Sequence, residues 1–408
     1  MTRLTTLPNG LRVVSRAMPG VETVALGLFV AVGSRHEEAR VNGIAHLFEH
    51  MVFKGAGGRS ARAISEAIED VGGDLNACTE RDQTSFTASL MAEHLSLGVE
   101  VIGDLALRAH LDPTDLEREK EVVLQELGEA RDTPGDIVFD ELWSAAFADQ
   151  PLGRSILGDE DSIAAIRPED LGGWRDTHYR GGNLILAAAG KLDHEELVDL
   201  AERCFGSALP GSGSACVPAS FTRGARVGRT PSDQAHLTLA YAAPAATADD
   251  YLAARLFADI VGGGMSSRLF QEVREERGLA YSVYTHLTPY AETGLLTAYS
   301  ATSRANSAKA AQLMETVIAR AAEDATPREL ERVRTQARAG LLMSLETPWG
   351  QASYAARQLA VHGRMVEPAE VLDRLGRVTL DEVRAAGARM LGGGPARATI
   401  GVPPARAA

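Results

Sequence analysis

The chain has 408 residues, of which 45% are hydrophobic and 24% are charged, the balance of a folded globular protein and not of a disordered chain. This length suits two domains of roughly 200 residues each. The formal net charge of −14 argues against nucleic acid as the main partner, because phosphate binding requires clustered Lys and Arg. A solvated acidic surface is the simpler explanation of this charge, and a preference for basic or neutral partners is the other.

Cysteine use and apolar segments indicate the compartment. The three cysteines are widely spaced and no CxxC pattern occurs, so the sequence indicates neither a disulfide framework nor a thiolate zinc site. The first ten residues lack the apolar region of a secretory signal. The longest apolar stretch, residues 24–32, is far too short to span a bilayer. We therefore expect a cytoplasmic protein with no membrane segment.

The first half of the sequence predicts alternating strands and helices. Apolar runs after breaks that contain Pro and Gly predict strands at residues 11–14 and 24–32. A helix is expected at residues 42–53, where four apolar residues have the spacing of a buried stripe: Ile44, Leu47, Phe48 and Met51. A shorter helix, a strand pair and two longer helices are expected next, at residues 61–71, 74–90, 94–109 and 113–130.

The second half repeats this pattern. The strand segment 235–241 corresponds to 24–30, and the helix 253–261 corresponds to 44–52 on a shared Leu-Phe pair. A stretch rich in Gly, Ser and Pro separates the halves and is typical of a linker. We predict an α/β (α+β) fold of two homologous domains, each with a mixed, largely antiparallel sheet packed with helices. The first domain is expected at residues 1–205, the linker at 206–225 and the second domain at 226–408.

The helix at residues 42–53 carries the segment His46-Leu47-Phe48-Glu49-His50. Two histidines four residues apart project to the same side of a helix, and at that spacing two neutral imidazoles can hold one Zn²⁺. Glu49 shares roughly that face, so its carboxylate can take a proton from a water activated by the ion and pass it to the departing amine. This H-x-x-E-H order reverses H-E-x-x-H and occurs in the inverzincins.

A catalytic zinc requires a third protein ligand and an open position. Glu119 and Glu126 are seven residues apart on a predicted helix and face the same way. We choose Glu126 as the ligand and Glu119 as a residue that supports a ligand or acts as an accessory acid. A chance match is the alternative for a lone motif. Two further strings start the forward motif without its second His and are expected to be solvated surface groups: His36-Glu37-Glu38 and His194-Glu195-Glu196.

These residues, and the stretches around them, resemble the M16 family of metallopeptidases, which includes pitrilysin, insulysin and the mitochondrial processing peptidase. Residues 43–55 look like the family's metal helix and its exit. The 76 positions from His50 to Glu126 suit its third ligand, and Glu119 with Glu126 reproduces the spacing of its paired glutamates. The resemblance covers nearly the whole chain.

The resemblance also implies substrate-binding residues in both halves. Residues 72–79 are similar to the family's edge strand, which pairs with the substrate backbone and implies roles for Asn76 and Ala77. Arg274 and Tyr281 look like the family's Arg/Tyr pair, which binds substrate carbonyls and is placed to stabilise the oxyanion. From residue types alone, the alternative is an Arg at a helix end followed by a strand Tyr at a sheet edge.

The repeat limits the number of metal sites. The positions that correspond to the two motif histidines and to Glu126 hold Arg255, Asp259 and Gly340, so one Zn²⁺ per chain is expected. Short members of the family assemble two chains into a clam-like chamber. Because this chain carries both the metal motif and the Arg/Tyr pair, the resemblance implies a homodimer, with a heterodimer with a related subunit as the alternative.

The expected function is that of a zinc metalloendopeptidase that hydrolyses unfolded peptides, held by strand addition in a dimer chamber, with Glu49 as general base. The alternative is a non-catalytic peptide-binding or structural core-type subunit of the same family. Such members usually have damaged metal motifs, whereas every ligand and the base are intact in this sequence.

Overall fold

The computed structural model describes residues 2–213 and 216–402. Ser214 and Ala215 of the predicted linker lie outside the described residues, as do Met1 and residues 403–408 of the predicted domains. The chain forms two compact units, and each half of the sequence contributes one segment to the unit formed mainly by the other half. The first unit comprises Met1–Leu127, Ser155–Val217 and Leu342–Val366, and the second comprises Gly128–Arg154, Pro218–Leu341 and Glu367–Ala408.

Strands and helices alternate along the described residues. The strands are β1 (Thr2–Thr6), β2 (Arg12–Ala17), β3 (Thr23–Val30), β4 (Gly55–Ala56), β5 (Arg59–Ser60), β6 (Asp74–Thr79), β7 (Thr84–Met91), β8 (Leu184–Gly190), β9 (Ala225–Val227), β10 (Gln234–Ala243), β11 (Ala280–Pro289), β12 (Gly294–Ser303) and β13 (Ala396–Ile400). The α-helices are α1 (Ile44–Val52), α2 (Ala61–Glu69), α3 (Leu95–Arg108), α4 (Pro113–Asp132), α5 (Pro134–Ala146), α6 (Glu160–Ala165), α7 (Pro168–His178), α8 (His194–Phe205), α9 (Tyr251–Gly262), α10 (Ser307–Asp324), α11 (Pro327–Ser344), α12 (Pro348–His362), α13 (Pro368–Arg377) and α14 (Leu380–Leu391).

The first unit is built on a six-stranded sheet in the order β1-β2-β8-β3-β7-β6. Its neighbouring strands pair antiparallel, except β2 with β8, which pair parallel. Because β6 is last in this order, it forms one edge of the sheet. Helices α1, α3 and α8 contribute to the main core on one face, where the predicted apolar stripe of α1 is fully buried. Helix α12 covers the other face: its alanines, which include Ala352 and Ala356, pack against alanines of β8.

The second unit is built on a five-stranded sheet in the order β11-β12-β10-β13-β9. Only β13 and β9 pair parallel, and β11 forms a free edge. Helices α9, α10 and α14 line the core on one face, and α5 covers the other. This order repeats β6-β7-β3-β8-β2 of the first unit, strand for strand. The predicted fold class and the predicted duplication are therefore confirmed.

The predicted elements agree with the observed ones to within a few residues. Helix α1 is shorter than predicted, because the chain enters it through Gly43. The described part of the stretch 206–224 contains neither helix nor strand. No helix among the described residues combines the length and the apolar character that a membrane crossing requires.

Candidate metal centre

The start of the metal helix α1 is fixed by a buried carboxylate. Gly43 precedes the helix with φ of 94°, in the left-handed region that favours glycine. The Glu37 carboxylate accepts hydrogen bonds from the amides of Gly43 (2.8 Å) and Ala45 (2.9 Å) and from the side chain of Asn42 (2.6 Å). It therefore caps amides that have no partner within the helix and places a negative charge at its positive end.

The prediction that the two forward-motif strings are solvated is therefore wrong for Glu37, which is only 4% exposed. It is also wrong for His194, which is only 4% exposed and whose ring nitrogens contact the hydroxyls of Thr5 at 2.9 Å and Ser15 at 2.8 Å. Sequence reasoning missed Glu37 as a residue that supports the site. The only signal for it was an acidic residue shortly before a helix that starts at glycine.

Two helices bring three potential metal ligands together. His46 and His50 lie one turn apart on α1, with ring centres 4.6 Å apart. Glu126 reaches both from α4: its Oε2 lies 3.7 Å from Nε2 of His46 and 3.5 Å from Nε2 of His50. The three ligand atoms lie within 4.8 Å of one another, and the described residues contain no other such group of His, Cys, Asp or Glu.

The donor set suits zinc. Two imidazole nitrogens and one carboxylate oxygen are the ligands of many catalytic zinc sites, in which the fourth position stays open. Burial, helped by the neighbouring His50, lowers the pKa of His46 to about 4. His46 is therefore neutral near pH 7, and the neutral imidazole is the form that binds a metal ion.

Glu119 contacts the nitrogen of His50 that faces away from Glu126. One of its carboxylate oxygens lies 3.2 Å from Nδ1 of His50, and the other lies 2.7 Å from Nζ of Lys54. The structure thus places Glu119 behind a candidate ligand and not among the ligand atoms. Lys54 is a further residue that sequence reasoning missed.

Glu49 interacts both with two candidate ligands, His50 and Glu126, and with Thr79 of the edge strand β6. Burial raises the pKa of its carboxyl, and the hydroxyl and amide of Thr79 in β6, together with His50, oppose that effect. Its Oε2 is buried without a hydrogen-bond partner. A carboxyl whose pKa is raised in this way is suited to exchange protons near neutral pH.

Asn76 and Ala77 lie on β6, whose outer edge pairs with no strand of the described residues. In an antiparallel pair, the amides of alternate residues point away from the neighbouring strand. The amide of Ala77 is bound at 2.9 Å by the side-chain oxygen of Asn76. This amide of β6 therefore already has a partner within the protein.

Arg274 and Tyr281 lie together in the second unit. Arg274 belongs to a π-helical turn, Phe270–Glu275, and Tyr281 is the bulged residue of edge strand β11. The Arg274 guanidinium lies 4.5 Å from the centre of the Tyr281 ring and 4.6 Å from that of Phe270. Phe270 was missed, although its spacing of four residues from Arg274 is one at which helical side chains meet.

Two family models match most of the chain. The model described as insulinase (peptidase family M16) matches residues 12–160, and the model described as the peptidase M16 inactive domain matches residues 165–337. The chain belongs to the M16 peptidase family. The resemblance inferred from the motifs is therefore confirmed.

Individual M16 relatives match along nearly their whole length. An uncharacterized zinc protease of Rickettsia felis is 33% identical over 378 residues, which cover 92% of each chain. An uncharacterized zinc protease of Mycobacterium tuberculosis is 35% identical over 398 residues, which cover 95% of this chain and 90% of its own. The crystal structure of a protease from Helicobacter pylori has the same fold, with a TM-score of 0.90 at 19% identity over 99% of both chains.

Proposed function

We propose that this M16 protein is a zinc-dependent endopeptidase with one metal site per chain. His46, His50 and Glu126 would hold the ion, and Glu49 is the general base. One observation carries the proposal: three ligand atoms lie within 4.8 Å of one another, and the same helix holds a buried carboxyl with a raised pKa beside them. The names of the relatives as zinc proteases support the choice of metal.

In the proposed mechanism, the ion would act as a Lewis acid and residues of the chain transfer the proton and orient a ligand. Zinc, when bound, supplies a Lewis acid that lowers the pKa of water and polarises the scissile carbonyl. Glu49 accepts the proton of the attacking water at its carboxylate and then donates that proton to the departing amine. Its raised pKa brings the two protonation states closer in energy near neutral pH. Glu119 keeps the ring of His50 oriented.

We further propose that an unfolded peptide binds as an additional strand along β6. Backbone hydrogen bonds to an open edge give affinity with little demand on sequence, and only an extended segment can form them. Because Thr79 at the end of β6 faces the Glu49 carboxylate, a backbone held at this edge lies next to the proposed base. Asn76 and Ala77 contact the peptide in this proposal.

The active unit in this proposal is a homodimer. One chain carries the complete ligand set and also the Arg/Tyr pair that the family resemblance connects with substrate carbonyls. Arg274 and Tyr281 of one subunit would then bind the peptide held at the metal site of the other. A heterodimer with a related subunit is the competing arrangement, and the mass of the purified assembly separates the two.

The decisive experiment combines metal analysis with peptide cleavage. The purified wild-type chain is expected to contain one zinc and to cleave a mixture of unfolded peptides, with products mapped by mass spectrometry. Glu49→Gln should keep its zinc and lose about 100- to 10,000-fold in turnover, because only the proton carrier is removed. His46→Ala should lose the zinc. Turnover retained by Glu49→Gln would refute the base assignment, and a zinc-loaded wild type that binds peptides without cutting them would favour a non-catalytic subunit.

A further inference from the structure

Lys54 ends a chain of contacts that begins at a proposed metal ligand. Nδ1 of His50 lies 3.2 Å from one oxygen of Glu119, and Nζ of Lys54 lies 2.7 Å from the other. The Glu119 side chain is only 8% exposed, whereas that of Lys54 is 36% exposed. The carboxylate is thus held from two sides within the protein, and the lysine reaches it from the surface.

We propose that Lys54 is a positioning residue of the metal site, which acts through Glu119 on His50. A carboxylate that accepts the Nδ1 proton of a histidine fixes the ring and leaves Nε2 free to bind metal. In this structure, Nε2 of His50 is the nitrogen that faces Glu126. The inference rests on the proposed function, because it assumes that these residues hold zinc.

A backbone hydrogen bond to the last turn of α1 fixes the position of the Lys54 main chain. Lys54 lies two residues after the end of α1, and its amide donates to the carbonyl of Met51 in the last turn of that helix at 3.1 Å. Its partner Glu119 lies on α4, two turns before Glu126. The ion pair therefore ties together the two helices that supply all three proposed ligands.

The charge of the site gives a second reason for a lysine. The site holds three carboxylates: Glu126 is a proposed ligand, and Glu49 and Glu119 lie beside His50. Among the described residues, Lys54 is the only Lys or Arg that forms an ion pair with any of these carboxylates. With the carboxylates ionised and Zn²⁺ bound, Lys54 brings the formal charge of the group to zero. A buried carboxylate without such a partner is costly, and Glu119 would then turn away from His50.

The test measures the zinc affinity of the full-length protein by competition with a chromophoric chelator. Lys54→Met keeps most of the side-chain length and removes the charge, and it should weaken zinc binding about 10- to 100-fold. Lys54→Arg keeps the charge and should recover most of that loss. The matched control is Lys191→Met, which removes the lysine of the surface ion pair with Glu22 in the same unit. It should leave the affinity unchanged.

A double-mutant comparison separates positioning from general damage. If Lys54 acts through Glu119, Lys54→Met should change zinc affinity little once Glu119→Gln is present. An equal loss in both backgrounds, or unchanged affinity in Lys54→Met, would overturn the inference. If Lys54→Met does not fold, Lys54→Gln takes its place in the same comparison. Failure of the proposed function looks different, because the wild type itself would then bind no zinc or cleave no peptide.

Discussion

The guanidinium of Arg274 lies over the ring of Tyr281, with its carbon 4.5 Å from the ring centre. Contacts of this kind contribute about 0.5–1 kcal/mol at exposed sites. Tyr281 is 79% exposed, and Arg274 also contacts the ring of Phe270 and the carboxylate of Glu275. Two backbone irregularities, the π-helical turn and the β-bulge, present these side chains to each other, and both irregularities recur at functional sites.

The first prediction concerns the hydroxyl of Tyr281. Tyr281→Phe should lower kcat/KM for an unfolded peptide about 100-fold, because it removes the proposed hydrogen bond to the substrate oxygen, which would strengthen in the transition state. The melting temperature should not change, because the ring and its contact with Arg274 remain. Tyr284→Phe, on the same strand and 40% exposed, is the matched control and should stay within about twofold of the wild type. Equal effects of the two substitutions would contradict a special role for Tyr281.

The second prediction tests whether the pair acts across the proposed dimer. Glu49→Gln and Tyr281→Phe chains are each expected to be nearly inactive alone. In a hybrid dimer, one of the two metal sites has both an intact Glu49 and an intact Tyr281 from the partner. Mixed chains should therefore regain about a quarter of wild-type activity after statistical exchange. Mass spectrometry of isotope-labelled subunits verifies the exchange, and no recovery after verified exchange would argue that the pair acts within one chain.

The third prediction concerns the carboxylate that caps α1. Glu37→Gln should lower the free energy of unfolding by about 2 kcal/mol, because an amide supplies one acceptor oxygen where the carboxylate supplies two. It should also weaken zinc binding, since Gly43 and Ala45 lie within the turn that leads to His46. Chemical denaturation and zinc competition measure the two effects. Glu38→Gln, at the exposed neighbouring position, should change neither quantity, and a similar loss at both positions would exclude the capping role.

The sequence was sufficient to predict contacts that helical spacing determines. His46 and His50 lie on one face of α1 because they are four residues apart. Glu119 and Glu126 share one side of α4 because they are seven residues apart. The edge position of β6 followed from the family resemblance, whereas the edge position of the strand that holds Tyr281 was the alternative drawn from residue types alone.

The contacts that could not be predicted join residues far apart in sequence. The partners of His194 lie 189 and 179 residues away, in strands whose place in the sheet order no local pattern determines. Glu37 binds backbone amides, and their direction depends on the turn at Gly43. Helices α5 and α12 each cover the sheet of the unit formed mainly by the other half, because an apolar face shows that a helix is buried and not which sheet buries it.

The fourth prediction concerns acid stability of the second unit and depends on Glu329 at the start of α11. Its carboxylate accepts hydrogen bonds from Arg268 at 2.6 Å and 2.8 Å, and from the amide and hydroxyl of Thr326 at 2.7 Å and 2.8 Å. Burial raises the pKa of Glu329, but these donors outweigh burial and lower the pKa from 4.5 to about 2. The unfolded chain therefore binds a proton at a higher pH than the folded protein does.

The sign of the pH effect follows from this difference. The ionised Glu329 stabilises the fold fully above about pH 4.5, and its contribution is lost as the pH falls toward about 2. Glu329→Gln should therefore be less stable than the wild type by about 1.5–3 kcal/mol near neutral pH, and the gap should shrink in acid. Denaturation curves of both proteins between about pH 7 and pH 3 measure the gap. Glu331→Gln, at an exposed position of the same helix, should follow the wild type throughout. A gap between Glu329→Gln and the wild type that stays constant with pH would mean that the shape of the side chain, and not its charge, stabilises this helix.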